Sequence, residues 1–342
     1  MNTEEKLAII TRNTEDIVTV EELKKLIETK EQPTVYLGNA ITGKPHIGYF
    51  TWAKKISDFL AAGFKVKILL ADVHGALDNC PWDLLEKRYE YYKIVITGML
   101  KSAGADITHL EFVKGSDFQL GKDYLLDMLK LSTFTTIRNA TKAASDVVKL
   151  GDNPKLSGLI YPLMQALDEQ YLGVDVQYGG VDQRKIMMFA RENLEKVGYK
   201  PRIELMTPLI PGLSASGKMS ASDPNSKIDL LETEKGIGKK LNKAYCPEKE
   251  ITENGVLAFC KYVLMTIKED KGEEFVITRP EKFGGNISFK NYDELEAAYA
   301  KGELHPMDLK QGLASEINIL LEPIREAIKG HEELVSQAYP EN

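Results

Sequence analysis

The hydrophobic and polar positions between residues 33 and 71 predict a strand, a helix and a second strand. Pro33 precedes a β-rich segment, Thr34 to Leu37, and Val66 to Ala71 is an almost unbroken apolar run of the kind found in fully buried strands. Between these strands, apolar residues recur at helical spacing and Gly63 ends the predicted helix. The helical positions are Ile47, Phe50, Ala53 and Ile56. Such a unit predicts a right-handed parallel βαβ crossover.

The pattern in the rest of the chain predicts an α/β protein with an inserted helical segment and a smaller, mainly α-helical region after it. Residues 1 to 32 favour one or two amphipathic helices, with Thr19 as a cap. A long helix follows the second strand, and short strands are predicted at Glu111 to Val113 and around Val174 to Tyr178. The stripe of the long helix comprises Leu85, Tyr89, Tyr92, Ile96 and Met99.

Two regions of the chain carry open alternatives. The helical excursion between Gly121 and Asp152 is either a dimer surface or an ordinary covering segment. After residue 230 helical segments dominate, with a domain boundary expected near 228 to 235. The local lysine cluster between Lys235 and Lys249 is either a basic patch or one solvated helix face.

Composition narrows the class of protein. A chain of 342 residues favours two domains, and a net charge of −7 argues against a surface coated with basic residues for nucleic acid. The three cysteines are far apart, which gives no zinc spacing and suits a reducing compartment. The N-terminus lacks the apolar run of a signal peptide, and no stretch approaches the ~20 apolar residues of a membrane span. We therefore expect a cytosolic protein with no membrane association.

The loop from Ile41 to Tyr49 is the first candidate for chemistry. His46 stands in it, and Gly38, Gly43 and Gly48 allow the backbone to approach a ligand closely. The free N–H groups of the following helix favour an anion such as a nucleotide phosphate. The alternative is a loop whose glycine and proline only make turns. Because ligands in parallel sheets bind at the carboxyl ends of the strands, this edge should also collect Tyr36, Asp72 and His74.

The segment from Gly158 to Asp168 is the second candidate. Pro162 suits the first position of a helix. Tyr161, Gln165 and Asp168 then lie on one face of that helix, within an otherwise apolar segment, and could wall a small polar pocket. A solvated stripe on an amphipathic helix is the commoner outcome for this spacing alone.

Two further loops carry candidate residues. Gly179 and Gly180 end a strand, which puts Asp182 and Gln183 at a ligand edge or in a tight turn. The segment from Ile210 to Ser222 is rich in small and hydroxylated residues around Lys218. A mobile lysine of this kind can follow a phosphate whose charge moves during reaction, whereas the alternative is a flexible linker.

Taken together, these motifs resemble a known family. Pro45-His46-Ile47-Gly48-Tyr49 is similar to the eukaryotic form of the HIGH signature of class I aminoacyl-tRNA synthetases, and Lys218-Met219-Ser220-Ala221-Ser222 is similar to their KMSKS loop. The segments Tyr161–Asp168 and Gly179–Arg184 resemble the tyrosine pocket of the archaeal and eukaryotic tyrosyl-tRNA synthetases. Gly284-Gly285-Asn286 and His305–Lys310 resemble the anticodon domain of the same family.

The resemblance implies a Rossmann-like catalytic domain over residues 1–230, with N-terminal helices and a helical dimerisation insertion, and a helical anticodon-binding domain over 231–342. It also implies the site residues. His46 and Lys218 are the expected catalytic residues. The expected tyrosine-binding residues are Tyr36, Tyr161, Gln165, Asp168, Gln183 and His74. The expected ATP-binding residues are Gly38, His46, Gly48, Asp182, Lys218, Met219, Ser220 and Ser222. The expected tRNA contacts are Phe283, His305, Asp308 and Arg184, with Lys310 either a backbone contact or a surface residue.

The implied activity is tyrosine activation with ATP and Mg²⁺ as substrates, followed by transfer of the tyrosyl group to tRNA(Tyr), in a homodimer without a permanent cofactor, a metal site or a DNA partner. The second KMSKS lysine is replaced by Ala221, so Lys218, Mg²⁺ or a monovalent ion must balance the triphosphate. The following Asp223-Pro224 also resembles the tryptophanyl enzymes, which are the close alternative. The residues also leave open a catalytically silent RNA-binding relative and a nucleotidyltransferase that uses no tRNA.

Overall fold

The computed structural model describes residues 1–148, 150–215, 217, 219, 223 and 225–340. Within these residues the main sheet has six strands in the order β1-β6-β5-β2-β3-β4. All neighbours are parallel except β1, which pairs antiparallel with β6. The strands are β1 Asp16–Val18, β2 Thr34–Ala40, β3 Lys65–Ala71, β4 Leu110–Lys114, β5 Val176–Gly180 and β6 Ile203–Thr207, and a separate antiparallel hairpin comprises β7 Phe275–Ile277 and β8 Ile287–Phe289.

Helices cover both faces of the sheet and dominate the chain after β6. They are α1 Thr3–Thr11, α2 Val20–Thr29, α3 Phe50–Ala61, α4 Asp72–Leu77, α5 Leu85–Ser102, α6 Ser116–Gln119, α7 Lys122–Thr133, α8 Ile137–Ala144, α9 Leu156–Tyr171, α10 Arg184–Asn193, α11 Glu234–Lys243, α12 Gly255–Phe259, α13 Thr266–Lys271, α14 Tyr292–Lys301, α15 Pro306–Ile328 and α16 Glu332–Ala338. A π-helical segment, Cys260–Met265, joins α12 to α13. Single 3-10 turns lie at Ile47–Tyr49, Trp82–Leu84, Ile107–His109, Val181–Gln183, Leu194–Val197 and Glu281–Phe283.

The predicted α/β class and parallel β2–α3–β3 unit are confirmed. Alternation along β2 buries Val35 and Leu37 on one face and Tyr36 on the other. β2 is longer than predicted and contains Gly38. Thr19 caps α2 by accepting a hydrogen bond from the Glu22 N–H, as expected.

Two local predictions were wrong. The region 1–32 contains a strand, β1, between its two helices; three residues are too few to show a period of two. Pro162 does not begin a helix, because α9 starts at Leu156 and Pro162 lies inside it. The proline removes one backbone hydrogen bond, and burial of the helix on both sides of it, including Tyr161 before it and Leu163 after it, outweighs that loss.

One large core joins the sheet to the C-terminal helices. It runs from Ile10 in α1 through α3 and α5 to Ile324 in α15. α15 lies directly on α5, where a Cβ on Gly98 would be 3.0 Å from the Cα of Ile324. The three cysteines are buried and form no disulfide. Among the described helices, none is long and apolar enough to cross a membrane.

Candidate active site

A cavity of about 430 Å³ opens at the carboxyl ends of β2 and β5. Its lining contains every tyrosine- and ATP-site residue predicted from the sequence that the structure describes. These are Tyr36, Gly38, His46, Gly48, His74, Tyr161, Gln165, Asp168, Asp182, Gln183 and Met219. Lys218, Ser220 and Ser222 lie outside the described residues. The sheet edge therefore brings together side chains that are far apart in sequence, as parallel topology predicts.

His46 is held in place by a backbone contact within its own loop. It caps the 3-10 turn Ile47–Tyr49, and its Nδ1 accepts a hydrogen bond from the Gly48 N–H at 3.2 Å. Because a backbone N–H only donates, the ring proton lies on Nε2 and is available to a ligand. Burial, reinforced by the charge of Lys227 and opposed by Asp229, lowers the pKa of His46 to about 4. His46 is therefore a neutral donor at physiological pH.

A segment after the KMSAS stretch fixes the His46 loop. His46 pairs with Asp229 in an isolated antiparallel bridge, Ile47 N donates to the Ile228 carbonyl at 2.8 Å, and Leu230 N donates to the Pro45 carbonyl at 3.2 Å. Lys227 is buried and lies 2.6 Å from an Asp229 oxygen. The His46 loop is thus held by backbone hydrogen bonds to residues 228–230, a relation that no local pattern in the sequence indicates.

Gly48 is required by close packing. A Cβ there would lie 2.9 Å from the ring of His46 and 3.2 Å from Sδ of Met219. Any side chain would therefore displace the imidazole from its cap or push Met219 away.

Tyr36 and Asp168 share the inner wall of the cavity, on the same face of the sheet. Tyr36 is fully buried on β2, and its hydroxyl donates to the Gln165 carbonyl at 3.4 Å. Burial, followed by repulsion from the charge of Asp168, raises the pKa of Tyr36 well above its usual range. Asp168 is 1% exposed, so the alternative of a solvated stripe on α9 is wrong.

Asp168 is anchored by two residues that sequence reasoning missed. Its Oδ1 accepts hydrogen bonds of 2.8 Å from both Gln119 Nε2 and the Tyr124 hydroxyl. Its Oδ2 lies 3.7 Å from His74 Nε2, beyond hydrogen-bond distance. Burial raises the pKa of Asp168 to about 8 against the lowering effect of the two donors. Gln119 ends α6, just before the helical excursion, and Tyr124 lies on α7 within it. The sequence there shows only mixed polarity, so no signal could have found them.

The outer wall of the cavity carries the other predicted polar groups. Gln165 Nε2 donates to Gln183 Oε1 at 3.2 Å, and the ring of Tyr161 packs edge-on to His74 at 4.6 Å. Asp182 and Gln183 belong to the 3-10 turn that links β5 to α10, so this segment is both a tight turn and part of the cavity. The wall thus offers amide and hydroxyl groups next to the carboxyl of Asp182.

The predicted tRNA residues lie away from this cavity. Phe283 is 59% exposed, which makes the alternative of a core phenylalanine wrong, and the Lys282 ammonium lies 4.9 Å from its ring centre. Asp308 is 3.9 Å from Arg279, and His305 caps α15. Lys310 is buried, with its Nζ donating to the Asn242 carbonyl at 3.3 Å, so it is not a surface residue. Arg184 is exposed and pairs with Asp16 at 2.8 Å.

His74 makes the stability of the fold depend on pH. Complete burial lowers its pKa to about 4, whereas the unfolded chain has a value near 6.5. Below about pH 6.5 the unfolded state binds a proton that the folded state refuses, so stability falls as the pH falls. Between pH 7 and pH 5, His74 should account for about 2 kcal/mol of the decrease in the free energy of unfolding. We expect this part of the decrease to be absent in His74→Gln, as measured by urea denaturation. The exposed His331→Gln is the control, and an unchanged slope in His74→Gln would contradict the prediction.

Comparison with known proteins shows which family and which solved structures this chain is similar to. A profile of the family described as tRNA synthetases class I (W and Y) matches residues 28–322. The chain is 46% identical to the tyrosine–tRNA ligase of Haloarcula marismortui, over 100% of this chain and 99% of that one. It is 48% identical to the cytoplasmic tyrosine–tRNA ligase of Saccharomyces cerevisiae, over 98% and 88%. The structure of the Archaeoglobus fulgidus tyrosyl-tRNA synthetase complexed with L-tyrosine superposes with a TM-score of 0.89 at 40% identity, covering 96% of this chain and 100% of that one.

Proposed function

We infer that this chain, which belongs to the class I tRNA synthetase family of the tryptophanyl and tyrosyl enzymes, is a tyrosine–tRNA ligase. It is an aminoacyl-tRNA ligase. In the first step a tyrosine carboxylate oxygen bonds to the α-phosphorus of ATP, the bond to the bridging oxygen breaks, and diphosphate leaves. In the second step a 3′-terminal ribose hydroxyl of tRNA(Tyr) attacks the tyrosyl carbonyl and AMP leaves.

One observation carries the choice of tyrosine: Tyr36 and Asp168 stand together, buried, on the inner wall of one cavity. A phenolic hydroxyl can hydrogen-bond to both groups, whereas an unsubstituted ring leaves the Oδ2 of Asp168 and the accepting position of the Tyr36 hydroxyl unused, at a cost of about 1–3 kcal/mol each. The test is amino-acid-dependent ATP–diphosphate exchange with each standard amino acid. We expect exchange with tyrosine and none with phenylalanine. Robust exchange with tryptophan and none with tyrosine would instead assign the tryptophanyl activity.

Polar side chains on the cavity wall form the part of the site that binds the amino-acid substrate. Tyr161, Gln165 and Gln183 hold the α-ammonium group of tyrosine. His74 packs on Tyr161 and lies beside Asp168, where it supports the phenol-binding wall.

The nucleotide end needs alignment and charge stabilisation more than covalent help. His46 donates from Nε2 to phosphate oxygens as the phosphorus becomes crowded, and Lys218 holds the departing diphosphate. Gly38 and Gly48 admit the nucleotide, with adenine against Gly48, and Asp182 faces the ribose. Met219, Ser220 and Ser222 complete the ATP site, and Mg²⁺ enters as part of the ATP substrate.

Two domains contact the tRNA. The catalytic domain comprises residues 1–230, and the anticodon-binding domain comprises residues 231–342. The exposed Phe283 stacks on the first anticodon base, and Asp308 reads the Watson–Crick edge of that base. His305 contacts the backbone, and Arg184 touches the acceptor end. The exposure of Phe283 at a turn formed by Gly284 and Gly285 supports this role.

Replacing Phe283 by alanine should separate anticodon binding from catalysis. One lost stacking contact is worth ~1–3 kcal/mol, so we expect KM for tRNA(Tyr) to rise about tenfold in the charging reaction. Tyrosine-dependent ATP–diphosphate exchange should be unchanged, because it needs no tRNA. Phe283→Trp should retain the parent KM. Val276→Ala, which is half exposed in the same region, is the control, and parent-like charging by Phe283→Ala would remove Phe283 from the interface.

A homodimer is favoured by an exposed apolar surface on the helical excursion. Monomeric proteins rarely expose contiguous apolar patches of this kind, and a second copy is the occupant we propose. Its large side chains are Leu120, Leu125, Leu126, Leu129, Phe134 and Ile137, which are 39–75% exposed.

Leu129→Glu with Ile137→Glu should yield monomers, because two buried unpaired carboxylates outweigh the apolar contact. Light scattering coupled to size-exclusion chromatography measures the change from a dimeric parent. Ile319→Glu, at an equally exposed position on α15, should remain dimeric. A monomeric parent under all conditions would eliminate the dimer.

A cytoplasmic location is the remaining part of the proposal. It is supported by the name of the yeast relative, a cytoplasmic tyrosine–tRNA ligase. The partners that follow are tRNA(Tyr), L-tyrosine and ATP, with no role for DNA.

A further inference from the structure

A row of buried polar side chains crosses the sheet from Tyr36 and Gln177, which line the cavity, to Glu204, which does not. Gln177 on β5 is in register with Tyr36 on β2, and Glu204 on β6 is in register with Gln177. Residues in register on parallel strands point to the same face, so the three side chains form one row. Glu169, which directly follows Asp168 on α9, lies next to this row. All four side chains of this cluster, Tyr36, Gln177, Glu204 and Glu169, are at most 2% exposed.

The carboxyl groups of this cluster receive no hydrogen bond from the donors of the described residues. As carboxylates, Glu169 and Glu204 have four oxygens with no partner among the described residues, and Gln177 Oε1 has none either. A hydrogen bond between the side chains of Glu169 and Glu204 lowers the pKa of Glu169 and raises that of Glu204. Two carboxylates so placed cannot both ionise in a buried site, whereas one proton held between them lets each pair with the other.

Few charged groups face this pair. Arg202, which precedes β6, and Arg191 on α10 attract its negative charge, and Asp168 on α9 repels it. Burial is the larger effect and raises the pKa of both Glu169 and Glu204. Each arginine also has another partner: Arg202 Nη2 donates to Gln170 at 2.8 Å, and Arg191 pairs with Glu22 at 3.1 Å. The buried Nε of Arg202 has no hydrogen-bond partner among the described residues. They therefore compensate one negative charge on the pair better than two.

Two residues connect the pair of Glu169 and Glu204 to the cavity. Gln177 lines the cavity and stands between Tyr36 and Glu204 in the row. Asp168, next to Glu169 in α9, lines the cavity too. A second charge on the pair would therefore add to the negative charge beside Asp168 and repel it.

We propose that Glu169 and Glu204 are positioning residues that share one proton behind the phenol-binding wall, and that this proton sets the affinity of the cavity for tyrosine. The proposal rests on the proposed function. Neither residue touches reacting atoms, so the proton controls KM for tyrosine and leaves kcat unchanged. Its loss at alkaline pH weakens tyrosine binding because the wall then carries an additional uncompensated charge.

Glu204→Gln is the decisive variant. Its amide donates to Glu169, so the pair keeps one negative charge and one hydrogen bond, but it has no second proton to lose. The assay is tyrosine-dependent ATP–diphosphate exchange from about pH 6 to about pH 9.5, the range in which buried carboxyls of raised pKa titrate. At neutral pH we expect a KM for tyrosine within about twofold of the parent. At the alkaline end the parent KM should exceed that of Glu204→Gln by about tenfold, equivalent to one pKa unit of coupling, with equal kcat.

The test compares the KM profiles of the parent and Glu204→Gln, because Asp168 titrates in the same range in both proteins. The exposed Glu192→Gln on α10 removes one carboxyl elsewhere and should keep the parent profile. Superimposable KM profiles for the parent and Glu204→Gln would overturn the proposal. Absence of tyrosine exchange in the parent at every pH would instead refute the proposed function.

A second measurement covers the case in which Glu204→Gln does not fold. Calorimetric titration of the parent with tyrosine at alkaline pH, in two buffers of different ionisation enthalpy, reports protons taken up on binding. We expect uptake of a fraction of a proton in the parent and a smaller uptake in Glu169→Gln, in which only Asp168 and the α-amino group of the substrate still titrate. No uptake in the parent, or equal uptake in Glu169→Gln, would contradict the shared proton.

Discussion

Replacing His46 by alanine will lower kcat for tyrosine-dependent ATP–diphosphate exchange by about 10²- to 10³-fold, the usual cost of removing a donor aimed at developing charge. KM for tyrosine should change little, because the tyrosine-binding groups lie on other elements. The physical basis is the fixed tautomer: the Gly48 N–H occupies Nδ1, so Nε2 carries the proton. With a pKa of about 4, the ring donates as a neutral group, and kcat should not rise on acidification to about pH 6.

Two amide variants separate the capping role of His46 from its catalytic role. The short side chain of His46→Asn can accept from the Gly48 N–H in the position of Nδ1, but it does not reach the position of Nε2. His46→Gln reaches that position with an N–H donor. We therefore expect Gln to retain more kcat than Asn or Ala. Parent-like kcat in His46→Ala would remove His46 from the chemistry, and a higher kcat in His46→Asn than in His46→Gln would reduce its role to capping.

Replacing Asp168 by alanine will lower the preference for tyrosine over phenylalanine, measured as the ratio of kcat/KM values in exchange, by about 10- to 100-fold. The phenolic hydroxyl then loses one of its two buried partners, at about 1–3 kcal/mol. Alanine also strands Gln119 Nε2 and the Tyr124 hydroxyl, which both donate to Asp168 Oδ1. Part of the effect will therefore appear as lower stability.

Asp168→Asn keeps an oxygen for Gln119 and Tyr124 and isolates the effect on the substrate. We expect it to retain stability better than alanine and to lie between alanine and the parent in selectivity. Tyr124→Phe, which removes one donor to Asp168 without opening the cavity, should preserve selectivity more than either. Unchanged selectivity in Asp168→Ala would show that the phenol binds elsewhere, and the choice of substrate would lose its structural support.

Local patterns accounted for much of the fold because they depend on neighbours within one turn or one strand. The run Val66 to Ala71 and the spacing of Ile47, Phe50, Ala53 and Ile56 report directly which faces are buried. The same reasoning failed at Pro162, since a proline is compatible both with a helix start and with a helix interior stabilised by packing. It also missed β1, because only pairing with β6 makes those three residues a strand.

The candidate site, too, was predicted in part from local sequence and in part only from tertiary structure. The sequence by itself determined the α/β class, the glycine- and histidine-containing loop at a strand end, and the motifs that carry the family resemblance, because each is written in consecutive residues. Only the tertiary structure decided that Gln119 and Tyr124 hold Asp168, that Asp229 pairs with His46, and that Glu204 stands behind Gln177. Each of these contacts joins different elements, so it follows from sheet order, register and helix packing, which a local period does not encode.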